Sequence, residues 1–311
     1  MRVFVAGATG AVGRALLPKL VAAGHEVTGM ARSEPKAASV RAAGARAAVV
    51  DVFDTDALGA AMREAAPDVV VHQLTALPKR LNFREKGVYD ATNRLRGEGT
   101  RNLLGAARAA GARRFLAQSV AFAYQPTGGP VKSEDDPLIE GGPGGFGSAV
   151  RVLRELEGRV LGADGLDGLV LRYGFFYGPG TYYAEDGTTT ADVRRRRMPV
   201  VGSGTGVFSF VHVDDAADAT VAAAERGAPG IYNVTDDEPA ALSEWLPVFA
   251  EAAGAKRPMR VPVWLAKLVA GRDAAGFALG LRGASNEKAK RELGWQPAHP
   301  SWRTGFAESL S

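Results

Sequence analysis

Cysteine is absent from the 311 residues, which excludes disulfides, a thiolate nucleophile and Cys-ligated metals. Histidine is scarce. His25, His72, His212 and His299 are scattered with no pair at metal-ligand spacing, so no metal site is expected. No apolar run approaches the roughly 20 residues that span a bilayer, so no membrane partner is expected. An excess of either charge is also missing: the net charge is +4, and the one dense basic run, Arg194-Arg195-Arg196-Arg197, reads as a solvated helix end. Nucleic-acid binding calls for a wider basic face interleaved with aromatics, so that partner is not expected either. The opening MRVFVAGATG has no charged leader before a long apolar block. It reads as a strand and not a secretion signal, and a cytoplasmic location is expected.

What is present is ordinary for a folded chain. Hydrophobic residues make up 46% and charged residues 23%, which sets aside intrinsic disorder and fibrous repeats. The length allows one large domain or two ordinary ones. Short β-branched, continuously apolar runs recur at 2–6 (RVFVA), 25–30, 45–52, 67–74, 112–119 and 167–174, with helical spacing between them. One such helix covers 11–23, with Leu16, Leu17, Leu20 and Val21 on one face. That alternation predicts an α/β fold: a doubly wound parallel sheet covered by helices on both faces. Two stretches break the pattern. Residues 125–147 are rich in Pro and Gly and read as a long loop. After 174 come short strands at 207–213 and 230–236, the latter returning to the sheet, and then a mostly helical end.

Gly7, Gly10 and Gly13 follow the first strand and open the first helix. In that context the first glycine permits a tight turn, the second lets backbone approach a pyrophosphate, and the third lets helix and strand pack closely. The helix N-terminus then offers unpaired N–H groups to phosphate. At the end of the second strand, where NAD-preferring folds place an acid, stands Arg32. A guanidinium suits a 2′-phosphate, so NADP is expected over NAD. Arg14 could add a second cation, and the bland alternative leaves the ribose to Glu34.

At this point the chain resembles the extended short-chain dehydrogenase/reductase family of the NAD(P)-dependent epimerase/dehydratase type. The likeness runs through GATGAVG, Asp51-Val52, His72-Gln73-Leu74-Thr75, GTRNLLGAARAAGARRFLAQS, LRYGFFYGPG, FSFVHVDDAADA and NEKAKRELGWQP. It implies a Rossmann sheet with a smaller, mostly helical C-terminal substrate domain. The dinucleotide domain would take 1–172 and 207–234, and the substrate domain 173–206 and 235–311. It implies cofactor contacts from Gly7, Thr9, Gly10, Ala11, Val12, Gly13, Arg32, Asp51, Val52, Gln73, Leu74, Thr75, Ser119 and Tyr173. Helices at 87–110 and 145–162 pair such members into homodimers.

Two departures from the family bear on chemistry. Its Tyr-x-x-x-Lys signature has no counterpart in FGSAVRVLRELEGRVL: one register puts Ala149 and Leu153 at the pair, another Gly147 and Arg151. Nucleotide-sugar members carry a diphosphate-binding arginine where this chain has Phe208. Arg282 or the run at 194–197 could compensate. Without the lysine, a phenol near pKa 10 is a poor base. The expectation is therefore an NADP-dependent reductase that delivers hydride to a carbonyl of a small apolar or aromatic molecule. Ser119 would polarise the carbonyl, and a tyrosine, with Tyr183 and Tyr173 ranked first, or a water would give the proton. Tyr124, Tyr177 and Tyr182 rank lower. The alternatives are a nucleotide-sugar epimerase or dehydratase and a non-catalytic NADP-binding regulator. Phe175, Phe176, Tyr182, Tyr183, Phe208, Trp245 and Trp264 form an aromatic set expected to be mostly core. The helix carrying Leu265, Leu268 and Val269 also reads as core, and His212 and Asp214 as fixing a strand–helix junction.

Overall fold

The structure, a computed structural model, describes residues 1–80, 85, 87–141 and 145–310. Seven parallel strands form the main sheet: β1 (Arg2–Ala6), β2 (Glu26–Ala31), β3 (Arg46–Val49), β4 (Val69–His72), β5 (Arg114–Val120), β6 (Asp167–Tyr173) and β7 (Gly230–Val234). Their order is β7-β6-β5-β4-β1-β2-β3. The doubly wound α/β sheet expected from the alternating pattern is present.

Side-chain alternation divides each strand between two cores. Val3 and Val5 of β1 point to a layer holding α1 (Ala11–Ala22), while Phe4 and Ala6 point to the opposite layer. That opposite layer holds α3 (Thr55–Ala65), α5 (Thr100–Ala109) and α6 (Gly145–Leu161). Leu16, Leu17 and Leu20 form the buried stripe of α1. Asp54 caps α3 by accepting from the Ala57 N–H at 3.0 Å. Between α2 (Glu34–Ala42) and α5 the chain also forms α4 (Asp90–Arg94), which runs through a π-helical turn at Leu95–Gly99 into α5.

The strand order reverses between β1 and β4, and a crevice opens there at the carboxyl ends of the strands. Beyond it, the run at 207–213 splits at Ser209. Val207–Phe208 pairs with Ala240–Ala241, and Phe210–His212 pairs with Phe175–Tyr177. His212 accepts from the Asp214 N–H at 3.2 Å and caps the following helix, α7 (Val213–Glu225). The expected loop at 125–147 contains a two-residue strand, Val131–Lys132, paired with Gly283–Ala284. Residues 142–144 of that loop lie outside the described residues.

Tyr183, Phe208, Phe210, Trp245, Phe249, Trp302 and Phe306 share a buried aromatic cluster. Trp264 does not join it. On the helix Val263–Ala270, Trp264 and Leu268 are each 68% exposed and Val269 is 65% exposed, so the core placement expected there is corrected. This helix turns Ala266 inward and most of its bulky side chains outward. Among the described residues no helix is long and apolar enough to cross a membrane.

Candidate active site

A cavity of about 650 Å³ lies over the crevice. Its floor is the opening βα corner. Gly7 has φ +95°, and a Cβ there would meet the Gln73 carbonyl carbon at 2.6 Å, so the close approach of β1 and β4 requires glycine. At Gly13 a Cβ would come within 2.2 Å of the Gly7 oxygen. Gly10 differs: a Cβ there would meet the Gly7 oxygen at 3.4 Å and otherwise open onto the cavity. No side chain caps α1, and its first turn carries no acid. The cavity wall includes Gly10, Ala11, Val12 and Gly13, so this uncapped helix start fits an anionic phosphate.

Of the other residues singled out in the sequence, Gln73, Thr75, Ser119, Tyr173 and Tyr183 also line the cavity. Gln73 Oε1 is buried with no hydrogen-bond partner among the described residues, a polar acceptor left over at the wall. Leu74 and Thr9 are half-buried. Arg32 and Asp51 stand exposed past the ends of β2 and β3, outside the cavity, while the Val52 side chain is buried. Asp51 accepts from the Phe53 N–H, and the Val52 carbonyl accepts from Asn102. The Arg14 guanidinium lies against Gly180 at the cavity edge.

Ser119 is fully buried and donates to Glu157 Oε1 at 2.6 Å. Glu157 in turn receives two hydrogen bonds from Arg172, at 2.9 and 2.7 Å. Arg172 also donates to Tyr124, whose hydroxyl donates to Asn233 at 2.7 Å. This network occupies the tip of β5.

Two phenols of the cavity wall, Tyr173 and Tyr182, are likewise committed. Gln73 donates to the Tyr173 oxygen at 3.0 Å, and Thr220 donates to the Ala216 carbonyl. The Tyr173 proton therefore goes to Thr220 Oγ1, 2.7 Å away and away from the cavity. Tyr182 donates to the Pro78 carbonyl. Tyr183 sits edge-on to Phe210, Trp245 and Phe249, and burial pushes its phenol up. Burial also raises Tyr173 and Tyr89 to about 12. Tyr177 lies in the aromatic core, and its hydroxyl has no partner among the described residues.

On the far wall, α6 presents Ala149 and Leu153 to the cavity, both buried, whereas Arg151 points to solvent. Phe122, Phe146 and Phe175 add apolar surface. Two of the cations offered from the sequence as anion helpers, Arg282 and Arg194, are used elsewhere. Arg282 donates to the carbonyls of Gly280, Leu281 and Pro126, and Arg194 pairs with Glu185 at 2.6 Å.

A charged lining residue also lies outside the set singled out in the sequence. Arg96 is buried on the π-helical turn, with Thr92 four residues before it and Thr100 four after, both buried. A charge inside that buried stripe is the signal that points to it.

The family model for the NAD dependent epimerase/dehydratase family matches residues 3–235. A 3-diazoavenalumate denitrifying reductase from Streptomyces sp is 47% identical over 98% of this chain and 99% of its own length. A 4-hydroxy-2-methyl-3-oxo-4-farnesyl-3,4-dihydroquinoline-1-oxide ketoreductase from Stigmatella aurantiaca is 29% identical over 95% of this chain and 92% of its own. Among solved structures, the UDP-glucose 4-epimerase of Thermus thermophilus with NAD is similar with TM-score 0.73 at 25% identity, covering 100% of this chain and 98% of that one. With the sheet order, the glycine corner and a model match over most of its length, the chain belongs to the NAD-dependent epimerase/dehydratase family.

Proposed function

We propose that the protein is an NADP-dependent reductase of a small aromatic substrate, and that it works without a protein acid. The observation that carries this is the wall built by Ala149 and Leu153, at the positions where the family's tyrosine and lysine would stand. In the other register Arg151 points away from the cavity. Every phenol on the wall is held above its ordinary value, and two already donate elsewhere.

A nicotinamide dinucleotide, when bound, supplies the hydride. The glycine corner, the uncapped start of α1 and the unpartnered Gln73 Oε1 fit such a group. Gly10 to Gly13 would hold the pyrophosphate, Asp51 and Val52 the adenine side, and Gln73, Leu74 and Thr75 the reactive end. Arg32 makes no ion pair among the described residues, while the Glu34 carboxylate is taken by Arg41 at 2.5 Å. That arrangement favours a 2′-phosphate over a bare ribose.

A carbonyl acceptor generates an oxyanion that needs donors and a proton. A diazonium carbon that gains hydride and loses dinitrogen generates neither. The name of the 47% identical relative, a denitrifying reductase of a diazo compound, is in keeping with such an acceptor. Phe208, buried against Phe175 and Trp245 in place of a diphosphate-binding arginine, speaks against a nucleotide sugar.

The test supplies purified protein and NADPH with an aryldiazonium carboxylate or a matched aryl ketone, against enzyme-free controls. One dinitrogen released per NADPH oxidised is expected. Turnover of the ketone alone, or of a UDP-sugar without net redox change, would overturn the reading. Arg32→Asp should weaken NADPH at least about 10-fold relative to NADH.

A further inference from the structure

The cavity contains a buried cation that no described residue neutralises. Arg96 is 6% exposed and lines the cavity, yet among the described residues its guanidinium has no hydrogen-bond or ion-pair partner. The buried guanidinium of Arg172 contrasts with it, since it is matched by Glu157 at 2.7 Å. An uncompensated buried charge is costly, so its retention points to a charge that arrives with a ligand. Burial lowers Arg96 to about 10, which leaves it cationic at neutral pH.

Its surroundings define the ligand. Tyr89 is an electrostatic neighbour of Arg96, lines the same cavity, and has no hydrogen-bond partner for its hydroxyl among the described residues. His72 lies behind the turn. It accepts the Leu74 N–H on Nδ1, so Nε2 carries the proton and donates to Thr100, which donates to the Arg96 carbonyl at 2.6 Å. The turn is thus anchored from the core, and the cation faces the cavity. Phe122, Phe146 and Phe175 cover the apolar part of the space.

We propose that Arg96, with the Tyr89 hydroxyl as a second donor, is the subsite for a carboxylate on an aromatic substrate. The planar fork of arginine suits a carboxylate, and the phenylalanines suit the ring. This rests on the cavity being the substrate site of the proposed reductase.

The test uses binding as well as turnover. Cinnamate and methyl cinnamate are titrated calorimetrically into the full chain saturated with NADP⁺. The acid should bind about 10- to 100-fold tighter than the ester. Arg96→Gln should abolish that preference and leave dinucleotide affinity within about 2-fold, Arg96→Lys should restore part of it, and Tyr89→Phe should cost less than Arg96→Gln. Equal binding of acid and ester by the wild-type protein overturns the subsite even if every variant fails to fold. So does an Arg96→Gln protein that loses dinucleotide affinity while keeping the acid preference. Acid preference without NADPH oxidation on any acceptor leaves the subsite standing and removes the reductase reading. NADPH turnover with no acid preference does the reverse.

Discussion

Ser119 gives its hydroxyl proton to Glu157, 2.6 Å away, and that carboxylate is held in turn by Arg172. A hydroxyl so placed braces the tip of β5 and has no proton free for an acceptor. Ser119→Ala should therefore lower kcat by less than about 10-fold, whereas loss of an oxyanion donor costs about 100-fold or more. Glu157→Gln should cost about 3 kcal/mol or more, because it strips the counter-charge from a buried guanidinium. Steady-state kinetics and urea midpoints read the two effects separately. A 100-fold fall in kcat for Ser119→Ala would return the serine to the reaction centre.

The three glycines of the βα corner should divide by role. A methyl group on Gly10 meets only the Gly7 oxygen at 3.4 Å, while one on Gly13 meets that oxygen at 2.2 Å and Ala8 backbone at 2.7 Å. Gly10→Ala should change stability by no more than about 0.5 kcal/mol. It should still weaken NADPH binding about 10-fold or more by filling the space a phosphate needs. Gly13→Ala should cost about 3 kcal/mol through overpacking against backbone. Thermal melts and NADPH fluorescence titrations check both. Unchanged NADPH affinity in Gly10→Ala would remove the phosphate from that corner.

His72 makes stability fall on mild acidification. Burial, and secondarily the charge of Arg96, lower it from 6.5 to about 3. The unfolded chain takes up the proton first, so the contribution is complete above about pH 6.5 and is lost progressively as pH falls toward 3. The size is of the order of a few kcal/mol. Denaturant midpoints between pH 7 and 4 should fall more steeply for the wild-type protein than for His72→Gln. Parallel curves would show that the imidazole is charged in the folded protein.

Much of the sheet is legible in the sequence because its strands are buried on both faces and read as unbroken runs of Val, Leu, Phe and Ala, as in Val69–His72 and Asp167–Tyr173. The glycine corner is legible because its backbone must bend at Gly7 and pack at Gly13. The pairing of Val131–Lys132 with Gly283–Ala284 is not, since two residues carry no period and their partner lies far along the chain. Nor is the fate of the hydroxyls. Ser119, Tyr124 and Tyr173 look alike as polar residues near strand ends, and only the partners brought in by Glu157, Asn233 and Thr220 show where each proton goes. Trp264 defeats the sequence reading because a hydrophobic side chain on a short helix has no preferred side until its neighbours are known.

The π-helical turn at Leu95–Gly99 sets which side chains from that helix meet the cavity. A wider turn changes the phase of everything wound before it relative to α5, whose Leu103 and Ala107 stay locked in the core. The electrical character of the pocket is thus governed by how the backbone coils as much as by which amino acid occupies position 96. Trimming one residue from that turn would rotate the arginine out of register without altering a single wall residue's identity.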